Sequence, residues 1–199
     1  MKHYKYNSYD DYVKHQVKAN KKKLNNVWVQ EDTIKLICDK LIRLKNELDY
    51  GLCHGTRRGV EQALFNKYLG GKVIGTEISD TAIYFPNTIK WDFHNIKEEW
   101  INSFDYIYTN SLDHAYDPRK ALRSWLSCLK ENGVMVIEWS EAVGNRPKKA
   151  NKNDPFFAKA KEIEKLIKEC GGVVVDTIRT SNKKSNALYL IFARRISCT

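Results

Sequence analysis

What this 199-residue sequence lacks narrows its reading first. No apolar run approaches the ~20 residues of a membrane-spanning helix. The opening Met1-Lys2-His3-Tyr4-Lys5-Tyr6 has no apolar core of the kind a secretory signal needs. The cysteines, Cys38, Cys53, Cys128, Cys170 and Cys198, are odd in number, widely spaced and never arranged as Cys-x-x-Cys. That argues against a zinc site or a disulfide framework, so no metal is expected, and it points to reduced thiols in the cytoplasm. No internal repeat and no linker interrupts the chain. With 42% hydrophobic residues, the expectation is one globular domain over residues 30–199. Residues 1–29 precede it as a polar segment carrying Tyr4, Tyr6, Tyr9, Tyr12 and Trp28, suited to a tail or a lid.

Acidic residues are the minority charge: 24 Asp and Glu face 34 Lys and Arg, a net charge of +10. Part of the excess lies in three runs, Lys18 to Lys23, Arg146 to Lys152 and Arg179 to Lys184. A basic balance suits an anionic substrate or nucleic acid. The runs have no interleaved aromatics, so solvated loops explain them better than a nucleic-acid surface.

The hydrophobic pattern alternates between helices and strands. Ile34, Ile37, Leu41, Leu44 and Leu48 recur at three and four and predict an amphipathic helix over 31–48. Strands follow at 50–53, 72–77, 88–91, 104–109 and 134–139. A helix over 59–69 stops at Gly70-Gly71. A second begins with Asp117 as N-cap and Pro118 at the first helical position, and Asn132-Gly133 closes it. Asp154-Pro155 starts a third, with Phe157, Ala160, Ile163 and Ile167 inward. The last two strands, 173–178 and 187–193, are separated only by 179–186. That gap is too short for a helical crossover, so they must be antiparallel.

Chemistry concentrates at Leu52-Cys53-His54-Gly55-Thr56-Arg57-Arg58-Gly59-Val60-Glu61. There a strand meets a helix through a glycine turn. Glu77 follows at the end of the next strand, where an acid can accept hydrogen bonds from ribose hydroxyls. Asp92 ends the third strand on the same carboxyl edge, where open α/β sheets bind ligands.

These segments resemble the class I S-adenosylmethionine-dependent methyltransferases, small-molecule type. Cys53-His54-Gly55-Thr56-Arg57-Arg58-Gly59 is similar to the family's acid-x-Gly-x-Gly-x-Gly. Asn110-Ser111-Leu112-Asp113-His114-Ala115-Tyr116-Asp117-Pro118 resembles the segment after strand four, and Leu129-Lys130-Glu131-Asn132-Gly133-Val134 resembles Leu-Lys-Pro-Gly-Gly. The resemblance implies a Rossmann-like α/β fold. Its mostly parallel seven-stranded sheet would have the order 3-2-1-4-5-7-6, with strand seven antiparallel and helices on both faces. It implies S-adenosylmethionine as cofactor, held by Gly55, Thr56, Arg57, Gly59, Glu77, Ile78, Asp92, Phe93, Asn110 and Ser111. Two positions depart from the pattern. Cys53 replaces the acid that normally supports the turn or the methionine amine. Arg57 replaces the second glycine, and either points outward or meets the methionine carboxylate.

His114, just past strand four, is the candidate general base, and Asp113 shares its position. Glu138 and Glu141 flank Trp139 near the end of strand five. Alternation predicts that Trp139 faces away from Glu138 and Ser140, so that all three cannot line one pocket. The acceptor expected is a small or medium-sized molecule, of anionic character if the lysines serve it. The alternatives are a ribose or other nucleic-acid methyltransferase and a non-catalytic nucleoside-cofactor-binding module. Amino-group methylation of bases is disfavoured, because Asn110-Ser111-Leu112-Asp113 lacks the proline pair and aromatic of (Asp/Asn)-Pro-Pro-aromatic. Cytosine carbon methylation is disfavoured by the absence of Pro-Cys.

Overall fold

The structure is a computed structural model, and it describes residues 1–196; Cys198 lies outside them. A seven-stranded sheet forms the centre: β1 (Tyr50–His54), β2 (Lys72–Glu77), β3 (Thr88–Lys90), β4 (Phe104–Thr109), β5 (Leu129–Ser140), β6 (Gly172–Asn182) and β7 (Ser185–Arg195). Their order across the sheet is 3-2-1-4-5-7-6. β1 to β5 pair in parallel, and β7 is antiparallel to both β5 and β6. Five helices join them: α1 (Tyr9–Lys22), α2 (Glu31–Leu44), α3 (Val60–Leu69), α4 (Pro118–Cys128) and α5 (Ala160–Glu169).

Strand alternation divides the apolar residues between two layers. Leu52, Ile107, Met135, Ile137, Ile191 and Ala193 face α4 and α5, where they meet Trp125, Leu126, Ile163 and Ile167. Cys53, Tyr106, Tyr108, Val134, Val136, Leu190 and Phe192 face α2 and α3, with Ile34, Ile37, Leu41 and Phe65. Ligand-binding loops are thereby left to the carboxyl edge of the parallel strands.

Three local expectations need correction. α2 ends at Leu44, and Lys45 is already extended; Leu48 is buried from the connection instead. Asn132-Gly133 does not close α4. That helix stops at Cys128, and Asn132, at φ 58°, lies within a register shift of β5 opposite β4. Asp154-Pro155 does not start α5. Phe156–Phe157 pairs as a short strand with Lys2–His3, and the Tyr4 amide donates to the Pro155 carbonyl at 2.8 Å. α5 begins at Ala160, where the carboxylates of Glu162 and Glu141 accept the amides of Lys159 and Ala160. The long loop after β5 is a hairpin, Ala142–Val143 against Arg146–Pro147.

Residues 1–29 are mostly helical. Ser8 caps α1 by accepting the Asp11 amide at 3.1 Å. Its buried residues, Tyr12, Gln16 and Asn20, recur every four positions. Among the described residues no helix is long and apolar enough to cross a membrane.

Asp117 caps α4 by accepting the Lys120 amide at 3.0 Å. Asp117→Ala is expected to cost about 1 kcal/mol of stability, read as a lower midpoint in urea with unchanged slope.

Candidate functional site

The first βα turn is shaped by its backbone. Gly55 has φ 74°, and a Cβ there would come within 2.5 Å of the Ser111 hydroxyl oxygen. Only glycine fits that approach. The amides of Gly55 and Thr56 donate to the Thr76 carbonyl, which ties β1 to β2. Arg57 follows in the left-handed region at φ 47°. Its amide donates to Glu77 Oε2 at 3.0 Å, and Ser79 donates to Glu77 Oε1 at 3.1 Å. Burial raises Glu77 from the usual carboxylate range, against these two hydrogen bonds. Gly59, at φ 77°, ends the turn as the N-cap of α3 and has no side chain to cap it.

Two adjoining cavities open at this edge. The first is lined by Gly55, Arg57, Glu77, Ile78, Asp92, Phe93, Ser111 and His114, and α1 roofs it with Tyr12, Gln16, Ala19, Asn20 and Lys23. Asp92 is already engaged. Its Oδ1 accepts the His94 amide at 3.0 Å and His94 Nδ1 at 2.7 Å, and its Oδ2 accepts the Tyr9 hydroxyl. His94 Nε2 accepts the Tyr116 amide at 3.1 Å, which fixes its proton on Nδ1.

The second cavity is larger, about 650 Å³, within the range of small-molecule sites. Its walls include Thr56, Arg57, Glu61, Asn110, Ser111, Asp113, His114, Glu138 and Trp28. Trp139 and Ser140 line it beside Glu138, contrary to the expected separation, because the cavity runs over the end of β5 and takes in both faces. Glu141 is spent on the α5 N-terminus. Lys23, Lys148 and Lys184, one from each basic run, reach this cavity.

Lys148 pairs with Asp113, both side chains buried. Burial alone would raise Asp113, but Lys148 and His114 outweigh it and hold the carboxyl below its usual range. Asp113 is therefore a poor proton acceptor. His114 Nδ1 lies 2.9 Å from the Asn153 carbonyl. A carbonyl only accepts, so Nδ1 carries a proton, and Nε2 lies 3.9 Å from Asp113 Oδ1. Asp113, His114 and Asp154 bring one ligand atom each within 4.8 Å of one another, and Asp113 of this group is paired with Lys148. Glu138 Oε2 accepts the Tyr108 hydroxyl at 2.7 Å, while Oε1 is buried without a partner. Burial raises Glu138 to about 7 and does the same to Glu61. Neither has a cation within ion-pair distance among the described residues.

The methyltransferase-domain family profile matches residues 48–137. The matched segment runs from just before β1 into β5 and includes the Gly55 turn, so this part of the chain is similar to a methyltransferase domain. No curated protein matches the sequence significantly. Solved structures give the fold. The 1,6-didemethyltoxoflavin-N1-methyltransferase of Burkholderia thailandensis, solved with 1,6-didemethyltoxoflavin and S-adenosylhomocysteine, is 17% identical with a TM-score of 0.76, over 98% of this chain and 93% of that one. The sugar N-methyltransferase KedS8 from Streptoalloteichus is 13% identical, TM-score 0.65, over 81% and 86%. The [4+2]-cyclase SpnF is 11% identical, TM-score 0.65, over 81% and 80%, so the fold also carries an activity named for a different reaction.

The residues expected from sequence, Gly59 excepted, line the two cavities together. What the sequence reading missed is the inner face of α1, the buried Glu61, the Lys148–Asp113 pair and His94. The four-residue spacing of Tyr12, Gln16 and Asn20 was the available signal for α1; it is a polar stripe, and an apolar-period reading passes over it.

The raised carboxyls make stability depend on pH. Between about 4.5 and 7 the folded protein keeps protons on Glu61 and Glu138 that the unfolded chain has released, so stability falls as pH rises through that window. Each unit of raised pKa is worth ~1.4 kcal/mol. Glu138→Gln should remove its share, and melting curves should show the variant gaining on wild type from pH 5 to 8. A constant difference across that range would contradict the raised value.

Proposed function

We propose that the protein transfers a methyl group from S-adenosylmethionine to a small or medium-sized acceptor with anionic character. The observation that carries this reading is the concave cavity that adjoins the turn, whose lining takes in Lys23, Lys148 and Lys184. Three runs distant in sequence contribute one lysine each to that lining, the Lys148 ammonium being paired with Asp113. A cavity of small-molecule size suits a compact acceptor better than a nucleic-acid strand, which would need an extended basic track. Residues 1–29 serve as a lid on the domain formed by 30–199. Free Cys38, Cys53, Cys128 and Cys170 fit a reducing compartment such as the cytoplasm.

The residues present fit the cofactor. Gly55 and Arg57 of the turn line both cavities, and Glu77 and Asp92 offer carboxylates for the ribose and adenine ends, with Ile78 and Phe93 as apolar walls. Asp92 can do so only by exchanging its bond with Tyr9, which couples adenine binding to the seating of α1. Thr56, Asn110 and Ser111 complete the wall. When bound, the cofactor supplies an activated methyl group on a good leaving group. The chain then has to orient the acceptor and exclude water, and orientation can account for several kcal/mol, on the order of 7. His114, which lines both cavities, is the base that would take a proton from the accepting atom. Asp113 positions Lys148.

Titration with S-adenosylhomocysteine tests the cofactor reading. Glu77→Ala should weaken binding by about 1–3 kcal/mol, and no binding by wild type at millimolar ligand would overturn it. A screen of carboxylate- and phosphate-bearing amines and alcohols, scored by methylated product, tests the acceptor. For a turned-over acceptor, Lys184→Ala should raise KM more than it lowers kcat. His114→Ala should lower kcat and flatten its pH dependence near neutrality. Methylation of RNA in place of every small acceptor would reverse the choice.

A further inference from the structure

The family's turn begins with an acid, and here that position is Cys53. The thiol is fully buried toward α2 and α3 and lines neither cavity. A replacement stands in the first turn of α3. Glu61 is buried, lines the large cavity beside Gly55, Arg57 and Asn110, and lies close enough for its charge to help keep the Cys53 thiol protonated. Its Oε1 accepts the Asn110 amide at a long 3.5 Å, and its carboxylate also meets its own backbone amide. A carboxylate buried on a cavity wall without a cation is costly unless a ligand supplies one.

Arg57 complements it. Its guanidinium donates to the Asn26 carbonyl at 2.8 Å, while Nε is buried and has no partner. Arg57 lines both cavities, as do Gly55, Ser111, His114 and Lys23, so it stands at the seam between them. The α3 N-terminus, capped by Gly59 without a side chain, adds a positive field beside it. A buried carboxylate outside any ion pair and a guanidinium with an unused donor, both lining one cavity, match a zwitterion.

We propose that Glu61 and Arg57 clamp the amino-acid end of the cofactor. Glu61 takes the ammonium in place of the acid missing at position 53, and Arg57 takes the carboxylate. The proposal rests on the methyltransferase reading, so its test separates the two. Calorimetric titration would use three ligands: S-adenosylhomocysteine, its analogue with the amino group replaced by hydrogen, and 5′-methylthioadenosine, which lacks the amino-acid end. Wild type should bind S-adenosylhomocysteine about tenfold to a hundredfold more tightly than the deaminated analogue, the range expected for a hydrogen bond to a charged group. Glu61→Gln should lose that same factor for S-adenosylhomocysteine and leave the other two ligands within about threefold. Arg57→Met should weaken both ligands that carry the carboxylate and spare methylthioadenosine.

Equal weakening of all three ligands by Glu61→Gln, or none, would overturn the clamp. So would a deaminated analogue that binds wild type as tightly as S-adenosylhomocysteine, a result that needs no variant to fold. Wild type that binds none of the three would overturn the methyltransferase reading and the clamp with it.

Discussion

Burying negative charge beside a cavity is the constraint on which this site depends. Glu61, Glu77, Asp113 and Glu138 are each less than 9% exposed, and a carboxylate out of water is costly unless it is paired or protonated. The protein meets that cost in three ways. Glu77 is met by two backbone amides, so its charge is spread into the turn it organises. Asp113 is met by Lys148. Glu61 and Glu138 have no cation and are pushed toward their neutral forms. The site is thus shaped for ligands that bring hydrogen-bond donors or positive charge to its walls, while the lysines at the cavity favour a negative group elsewhere on the acceptor.

The N-terminal helix turns an open sheet edge into an enclosed site. α1 covers the first cavity through a stripe of Tyr12, Gln16 and Asn20, and it is fixed at both ends. Its Tyr9 hydroxyl reaches Asp92 and its Lys21 pairs with Asp80. Around Tyr9 and Tyr12 the rings of Tyr6, Tyr116 and His94 pack edge-on or tilted, with centroids 5.1 to 6.5 Å apart. Such pairs add modest, directional stability and leave hydroxyls free to bond. Asn153 links this lid to the hairpin side, since its carbonyl accepts both Gln16 and His114. Lid, cofactor wall and candidate base therefore share one short hydrogen-bond chain.

The sheet was legible because its signals are local or nearly so. β1 to β5 each carry a run of apolar or β-branched residues between turn signals, and the short gap after β6 forced an antiparallel partner without any knowledge of packing. The Gly55 turn and Glu77 were legible for the same reason: a backbone conformation and a strand end are read from a few adjacent residues. Errors arose where a local signal competed with a distant partner. Asp154-Pro155 is a good helix start, but the chain gains more by pairing Phe156–Phe157 with Lys2–His3 across the whole sequence. Asn132-Gly133 is a good stop signal, yet β5 had already begun at Leu129 and absorbed it as an irregularity against β4.

By itself the sequence determined the order of strands and helices, the antiparallel end of the sheet, the glycine turn and the acids along its carboxyl edge. These follow from periodicity, chirality and backbone freedom, which act within a few residues. Tertiary structure decided which charges meet. It put Lys148 on Asp113, brought Lys23, Lys148 and Lys184 to one cavity, turned Glu61 inward near Cys53, and laid α1 over the first cavity. Those pairings join residues from 8 to more than 100 positions apart. Their energies depend on burial and on distance in space, quantities that no spacing in the chain records.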